Sequence, residues 1–131
     1  MTENYYKPEM LADTDWLLEN LDKPNIRIID CDPPDSFFRA HIPNAVNVGS
    51  NTFVKSATSS LHVMNKEEVE EFMSNLGIDS DTLVVCYDGK NSLTATRFWW
   101  VLNYYGHTNS KVLNGGWVKW IDENKPVALA P

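Results

Sequence analysis

The 131-residue chain has few cysteines, no metal-ligand spacing and a shortage of basic side chains. Its two cysteines, Cys31 and Cys86, lie inside or at the end of apolar strand-like runs, so we expect reduced thiols rather than a disulfide-stapled domain. No C-x-x-C or H-x-x-x-H spacing occurs, which leaves a structural zinc site without support. We therefore expect no metal and no cofactor.

Acidic residues outnumber basic ones by eighteen to eleven, for a formal net charge of -7. A protein surface with this excess of negative charge is not expected to bind the phosphate backbone of nucleic acid, because that affinity comes from clustered Lys and Arg. No apolar run approaches the roughly 20 residues of a membrane-spanning helix. The start, MTENYYKPEM, lacks the basic and apolar segments of a secretory signal. We expect a cytoplasmic protein whose partners include neither nucleic acid nor a membrane.

Apolar periodicity divides the chain into alternating short helices and buried strands. The predicted helices lie in DTDWLLENL, PPDSFFRA, NKEEVEEFMSNLGI, LTATRFWWVLNYYGH and GGWVKWIDENK, and the predicted strands in IRIID, AVNV, DTLVVCY and SKVL. Residues 49–60 are rich in Ser, Thr and Asn and are predicted to form a surface excursion. The alternation predicts one α/β domain with a mainly parallel sheet, because parallel strands need crossover helices.

Several aromatic and apolar side chains are predicted to face the core. Phe37 and Phe38 give the helix after the proline pair something to bury. The helix LTATRFWWVLNYYGH is apolar nearly all the way round and is expected to be largely buried. Trp117, Trp120 and Ile121 are expected to form the inward face of the last helix.

The stretch VVCYDGKNSL runs a buried strand into a polar loop. In an open parallel sheet, ligands bind beyond the carboxyl ends of the strands. Backbone N–H groups that arrive together before the next helix would form a cradle for an anion, strengthened by the helix dipole. The candidate site residues are Asp88, Gly89, Lys90, Asn91, Ser92, Leu93 and Thr94.

Two further motifs carry a resemblance to a known family. AHIPNAVNV resembles the first signature of the rhodanese, or sulfurtransferase, domain, and YYGHTNSKVLNGGWVKW resembles its second. The motif-bearing region covers about residues 11–127, in the order of that family. The resemblance implies that residues 1–131 form a single rhodanese-like domain with a three-layer α/β/α fold and a mainly parallel sheet of about five strands.

Active rhodanese domains carry a cysteine at the end of this strand, whose thiolate takes sulfur from thiosulfate or a mercaptopyruvate-like donor while loop amides hold the persulfide. The resemblance places Asp88 at that position, with Cys86 two residues earlier inside the strand. A carboxylate accepts hydrogen bonds from the same amides but carries no transferable sulfur. We therefore expect no catalytic residue in this chain, a loop-organising Asp88 and an inert Cys86. Cys31 follows Asp30 at another strand end, and we expect it to have a packing or incidental role.

The chain thus resembles the aspartate-type, non-catalytic amino-terminal domain of tandem thiosulfate/3-mercaptopyruvate sulfurtransferases. The resemblance implies that this chain alone is inactive. Its expected partners are a second, catalytic rhodanese domain, in the same parent chain or on a separate chain, and a small sulfur-donor anion, which Lys90 could help to hold. Two alternatives stay open: a free-standing inactive rhodanese module that acts by binding a partner protein, and a catalytic domain with an unrecognised nucleophile.

Overall fold

The computed structural model describes residues 10–49, 66–89 and 93–129. Five strands alternate with five helices along these segments. They are β1 (Leu11–Ala12), α1 (Thr14–Glu19), β2 (Ile26–Asp30), α2 (Pro34–Arg39), β3 (Val46–Asn47), α3 (Lys66–Asn75), β4 (Leu83–Tyr87), α4 (Leu93–Tyr104), β5 (Ser110–Leu113) and α5 (Gly116–Asp122). Apart from Gly49, the predicted surface excursion lies outside the described residues. None of the helices described is long and apolar enough to cross a membrane.

The sheet has the order β1-β5-β4-β2-β3, and every pair of neighbouring strands is parallel. β4 lies at the centre, where it pairs with β2 from Ile26 opposite Leu83 to Asp30 opposite Tyr87. β4 (LVVCY) is a continuous apolar run, as expected for a strand covered on both faces, and β2 (IRIID) carries isoleucines around Arg27 and ends at Asp30. The sequence did not predict β1, because a strand of two residues is too short to show a periodic pattern.

Helices cover both faces of the sheet and enclose two apolar clusters. The cluster beneath α1, α2 and α5 includes Leu17, Ile28, Val85, Tyr87, Leu113 and Trp120. The cluster beneath α3 and α4 includes Val69, Ile29, Val84, Cys86, Phe98 and Val112. Adjacent strand residues appear in opposite clusters because side chains alternate across a strand. The three-layer α/β/α architecture with a five-stranded parallel sheet is therefore confirmed.

The predicted helix boundaries are correct to within a few residues. α3 ends at Asn75, and Gly77 follows in the left-handed conformation with φ of 77°, which glycine adopts without the penalty of a Cβ atom. Asp13 occupies the N-cap position of α1, but its side chain makes no capping hydrogen bond.

Three expectations about burial were wrong. Phe38 is 61% exposed, because consecutive helical residues point about 100° apart and Phe37 takes the inward direction, where it stacks on His41. On α4, Trp100 and Tyr104 are 54% and 67% exposed, and they stack on each other with ring centroids 5.3 Å apart. On α5, Trp120 is buried, but Ile121 lies 40% exposed.

The buried face of α1 provides a test of this packing. Leu17 has no solvent exposure, whereas Leu18 on the same helix is 37% exposed. We expect Leu17→Ala to lower the free energy of unfolding by about 2–5 kcal/mol, because it leaves a cavity in a packed core. Leu18→Ala, the matched control, should cost less than about 1 kcal/mol. Urea unfolding of both variants measures the difference, and equal losses would contradict the packing of α1.

Candidate functional site

The candidate site lies where the chain direction reverses across the sheet. From β2 the chain passes to β3 on one side, and from β4 it passes to β5 on the other. The crossover helices α2 and α4 therefore lie on opposite faces, and a crevice opens between the carboxyl ends of β2 and β4. Residues 30–32 follow one strand end, and Asp88 and Gly89 follow the other.

The Asp88 carboxylate is buried at the start of α4. The side chain is 1% exposed. Its Oδ2 atom accepts a hydrogen bond of 2.7 Å from the backbone N–H of Ala95 and one of 2.8 Å from the Thr94 hydroxyl. The first N–H groups of a helix have no partner within the helix, so the carboxylate satisfies one of them and stands at the positive end of the helix dipole. The protein thus supplies its own anion at the start of α4.

A second carboxylate binds the backbone N–H of Gly89, the residue that follows Asp88 in the loop. Asp32 Oδ1 accepts a hydrogen bond of 2.9 Å from the N–H of Gly89. A Cβ atom at position 89 would lie 3.2 Å from Asp32 Oδ2, so the close approach favours glycine there. Among the described residues of this region, the N–H of Gly89, inside the predicted cradle, binds Asp32, whereas the N–H of Ala95, one residue beyond the predicted cradle, binds Asp88.

A polar network behind the loop joins the two strand ends. The Tyr87 hydroxyl donates to Asp30 Oδ2 at 2.7 Å and accepts from the N–H of Ile42 at 3.1 Å. The N–H of Asp32 donates to Asp30 Oδ1 at 2.8 Å. Burial raises the pKa of Asp30 from 3.8 to about 6, against the opposing effect of the Tyr87 hydrogen bond. Burial also raises the pKa of Tyr87, so its hydroxyl remains a donor.

Both cysteines are buried and poorly suited to nucleophilic attack. Cys86 has no solvent exposure, as predicted, and Cys31 is 1% exposed and packs in the core, which agrees with the packing role expected for it. Burial raises the pKa of both thiols, and the charge of Asp88 adds to the effect. Only the thiolate attacks sulfur donors, so neither thiol is activated in this fold.

A pocket of about 430 Å³ opens beside α2, and we call it the α2 pocket. Its lining residues are Asp32, Pro33, Ser36, Arg39, Ala40, Gly89 and Trp117. The Trp117 ring stacks on Tyr87 with centroids 6.2 Å apart, which fixes one wall. The pocket therefore borders the Asp88–Gly89 loop on one side and the carboxyl end of α2 on the other.

The structure brings together only part of the predicted site. Asp88, Gly89 and Thr94 lie close together, and α4 begins at Leu93 as expected. Lys90, Asn91 and Ser92 lie outside the described residues.

Sequence reasoning missed Asp32 and Arg39. A signal for Asp32 existed, because it follows the carboxyl end of β2 and neighbouring parallel strands end at the same edge of the sheet. No sequence pattern indicated that Arg39 lines a pocket.

Comparisons with known proteins point in one direction. The sequence model of the rhodanese-like domain matches residues 13–123. The sulfur carrier protein TtuD of Thermus thermophilus is 34% identical over 125 residues, which cover 94% of this chain and 43% of that protein. The thiosulfate sulfurtransferase of Rattus norvegicus is 31% identical over 137 residues, covering 92% of this chain and 46% of that protein. The chain spans about half the length of the curated relatives it matches.

A solved structure agrees with the sequence matches. The crystal structure of SseA from Escherichia coli, described as a 3-mercaptopyruvate sulfotransferase with the rhodanese fold, superposes with a TM-score of 0.80 and 27% identity. The match covers 92% of this chain and 52% of that one.

The raised pKa of Asp30 predicts a specific pH dependence of stability. The folded protein holds this proton up to about pH 6, whereas the unfolded chain loses it near 3.8. The stabilising contribution is therefore fully present below pH 3.8 and is lost as the pH rises through 6, with a magnitude of about 3 kcal/mol. We expect the free energy of unfolding of Asp30→Asn to lack this decrease with pH, because asparagine does not titrate. Its free energy of unfolding relative to the wild type should increase between pH 4 and pH 7 in urea titrations.

Asp122→Asn, at an exposed position at the end of α5, is the matched control and should follow the wild-type pH profile. Parallel profiles for the wild type and Asp30→Asn would show that Asp30 does not titrate as described.

Proposed function

The chain belongs to the rhodanese-like domain family, and on this premise we propose that it is the non-catalytic amino-terminal half of a tandem thiosulfate/3-mercaptopyruvate sulfurtransferase. In this proposal, Asp88 stands where an active member has its persulfide-forming cysteine. A second rhodanese domain supplies that cysteine, and this domain helps to shape the cleft between the two.

The proposal rests above all on how the Asp88 carboxylate is held. Its Oδ2 atom accepts hydrogen bonds from the N–H of Ala95 and the hydroxyl of Thr94. Both donors lie at the start of a helix, where the helix dipole favours an anion. A carboxylate occupies this position permanently, and it can neither accept nor donate a transferable sulfur atom. The two thiols of the chain, on Cys31 and Cys86, are buried, and burial raises the pKa of each. This argues against the alternative of an unrecognised cysteine nucleophile.

The lengths of the relatives support a tandem arrangement. The chain covers 43% of the Thermus thermophilus protein and 46% of the Rattus norvegicus enzyme. Relatives of that length have room for a second domain of similar size. A parent reading frame that continues past Pro131 into a domain with a cysteine in the matching loop would support the proposal. A stop codon directly after Pro131 would favour a free-standing module.

One observation favours that second candidate, an inactive module that binds a partner protein. Trp100 and Tyr104 form an exposed stacked pair on α4. Exposed aromatic pairs of this kind are typical of protein interfaces, because the rings offer large contact area at low entropic cost. A covalently attached second domain and a separate protein would both be able to use this surface.

The proposal predicts that this chain alone is catalytically silent. Incubated with thiosulfate and cyanide, it should form no more thiocyanate than a protein-free sample, because Asp88 cannot carry a persulfide. Mass spectrometry after treatment with thiosulfate should show no added sulfur. Thiocyanate well above the blank, or a persulfide on Cys31 or Cys86, would overturn the assignment.

Replacing Asp88 by cysteine should restore the missing step. We expect Asp88→Cys to gain one sulfur atom on treatment with thiosulfate, because the donors of Ala95 and Thr94 stabilise an anionic sulfur at this position. Asp88→Ser is the control, because serine is similar in size to cysteine but has no thiol. It should gain no sulfur atom. A folded Asp88→Cys variant that never takes up sulfur would show that this loop is not a sulfurtransferase site.

A further inference from the structure

We propose that the buried hydrogen-bond chain from Ile42 through Tyr87 to Asp30 is a proton-linked switch. It holds the C-terminal segment, residues 125–129, when Asp30 is charged, and loosens it when Asp30 takes up a proton. The segment follows α5 and packs back against the loop after α2. The inference does not depend on the tandem arrangement proposed above. It gives the polar network behind the loop a regulatory role.

The Asp30 carboxylate is surrounded by hydrogen-bond donors. Its Oδ1 atom accepts from the N–H of Asp32 at 2.8 Å and from the side-chain amide of Asn47 at 3.4 Å. Its Oδ2 atom accepts from the Tyr87 hydroxyl at 2.7 Å. A hydroxyl can accept as well as donate, whereas the two N–H groups can only donate. A proton on this carboxyl group is therefore accommodated at Oδ2, where it reverses the hydrogen bond with Tyr87.

Reversal of that bond weakens the next bond in the chain. The Tyr87 oxygen also accepts from the N–H of Ile42 at 3.1 Å, and Ile42 is wholly buried. While the hydroxyl donates to a charged carboxylate, it is polarised, and its oxygen is a stronger acceptor. Once Asp30 is neutral and donates, this polarisation is lost. The hydroxyl hydrogen then turns away from Asp30 and competes with the N–H of Ile42 for the space around the same oxygen.

Ile42 lies next to the residue that holds the C-terminal segment. The N–H of His41 donates to the carbonyl of Ala128 at 3.0 Å, and the N–H of Ala128 donates to the carbonyl of His41 at 2.8 Å. Tyr87 is the last residue of the central strand β4, so its bond to Ile42 fixes this part of the chain to the sheet. Weakening that bond gives residues 41 and 42 more freedom, and the bridge to Ala128 loosens with them.

The first part of the C-terminal segment is held without the help of Asp30. The N–H of Lys125 donates to the carbonyl of Trp120 at 3.2 Å, and the indole N–H of Trp120 donates to the carbonyl of Pro126 at 2.7 Å. Trp120 is fully buried, which makes it a firm anchor. Protonation of Asp30 is therefore expected to loosen the segment at Ala128 and to leave it attached at Lys125.

The ionisable groups around Asp30 place its proton uptake in mild acid. Burial, the largest cause, and the charge of Asp32 raise the pKa of Asp30 to about 6. Cys31 lies beside both carboxyl groups, Tyr87 faces them from β4, and Asp88 acts on Cys31 from the loop after β4. Burial raises the pKa of Cys31 and of Tyr87, so both stay protonated over the range in which Asp30 changes charge.

The test is residue-resolved hydrogen exchange on the full protein that contains this chain, from pH 5 to pH 7.5. Protection factors, corrected for the intrinsic effect of pH on exchange, are compared for the amides of Ile42, Ala128 and Lys125. In the wild type, we expect the protection of Ile42 and Ala128 to fall roughly fivefold as the pH drops through 6, the loss expected for one hydrogen bond. The Lys125 amide is the internal control and should not respond.

Two substitutions break the chain at different points. Asp30→Asn has no proton to lose, so its protection at Ala128 should match that of the acidified wild type at every pH. Tyr87→Phe removes the hydroxyl, and its protection at Ala128 should be low and independent of pH. His41→Gln removes the other ionisable group beside Ile42 and should keep the wild-type pH dependence. Circular dichroism checks that each variant is folded.

The outcomes decide the role of Asp30. Equal protection of Ala128 in the wild type at pH 5 and pH 7.5 would overturn the switch. A folded Tyr87→Phe variant with the wild-type pH dependence would also overturn it, because the effect would then not pass through the hydroxyl. A pH dependence lost in His41→Gln but kept in Asp30→Asn would assign the effect to the imidazole instead. Each outcome leaves the tandem assignment untouched, because the measurement follows the C-terminal segment and not the Asp88 loop.

Discussion

The parallel pairing of β2 with β4 is the constraint on which the rest of the site depends. The register runs from Ile26 opposite Leu83 to Asp30 opposite Tyr87, and the N–H of Cys31 extends it by donating to the carbonyl of Tyr87 at 2.8 Å. Asp30 and Asp32 at the end of β2 and Asp88 at the end of β4 therefore leave the sheet side by side. The same register allows the Tyr87 hydroxyl to reach Asp30, and a slip of β4 by one residue would turn the Tyr87 side chain to the other face of the sheet.

Burying three carboxylates at one edge is costly unless each finds donors. Asp88 is satisfied by the start of α4, Asp32 by the N–H of Gly89, and Asp30 by Tyr87 and a backbone amide. In this way a side chain of the protein itself occupies the anion-binding position at the start of α4. Among the described residues that line the α2 pocket, Arg39 is the one cation.

Local sequence patterns predicted the elements well because amphipathicity and β-branched runs are short-range properties. IRIID is β2 as predicted, and VVCY lies within β4. The α3 helix ends shortly before Gly77, as the apolar spacing and the glycine indicated. Burial was less predictable, since Phe38 and Ile121 belong to apolar patterns and yet lie exposed. A helix pattern identifies an apolar stripe but not how much of it a neighbouring element covers.

The sequence by itself determined the α/β alternation, the strand that ends before Asp88 and the carboxylate at the start of the loop. Only the tertiary structure decided that Gly89 binds Asp32, 57 residues away, that Cys31 is buried, and that Arg39 shares a pocket with that loop. The reason is physical: helical periodicity and the alternation of side chains along a strand repeat every few residues, so a local stretch of sequence reveals them. Which strand ends meet is set by the order of strands in the sheet, and that order follows from packing both faces at once.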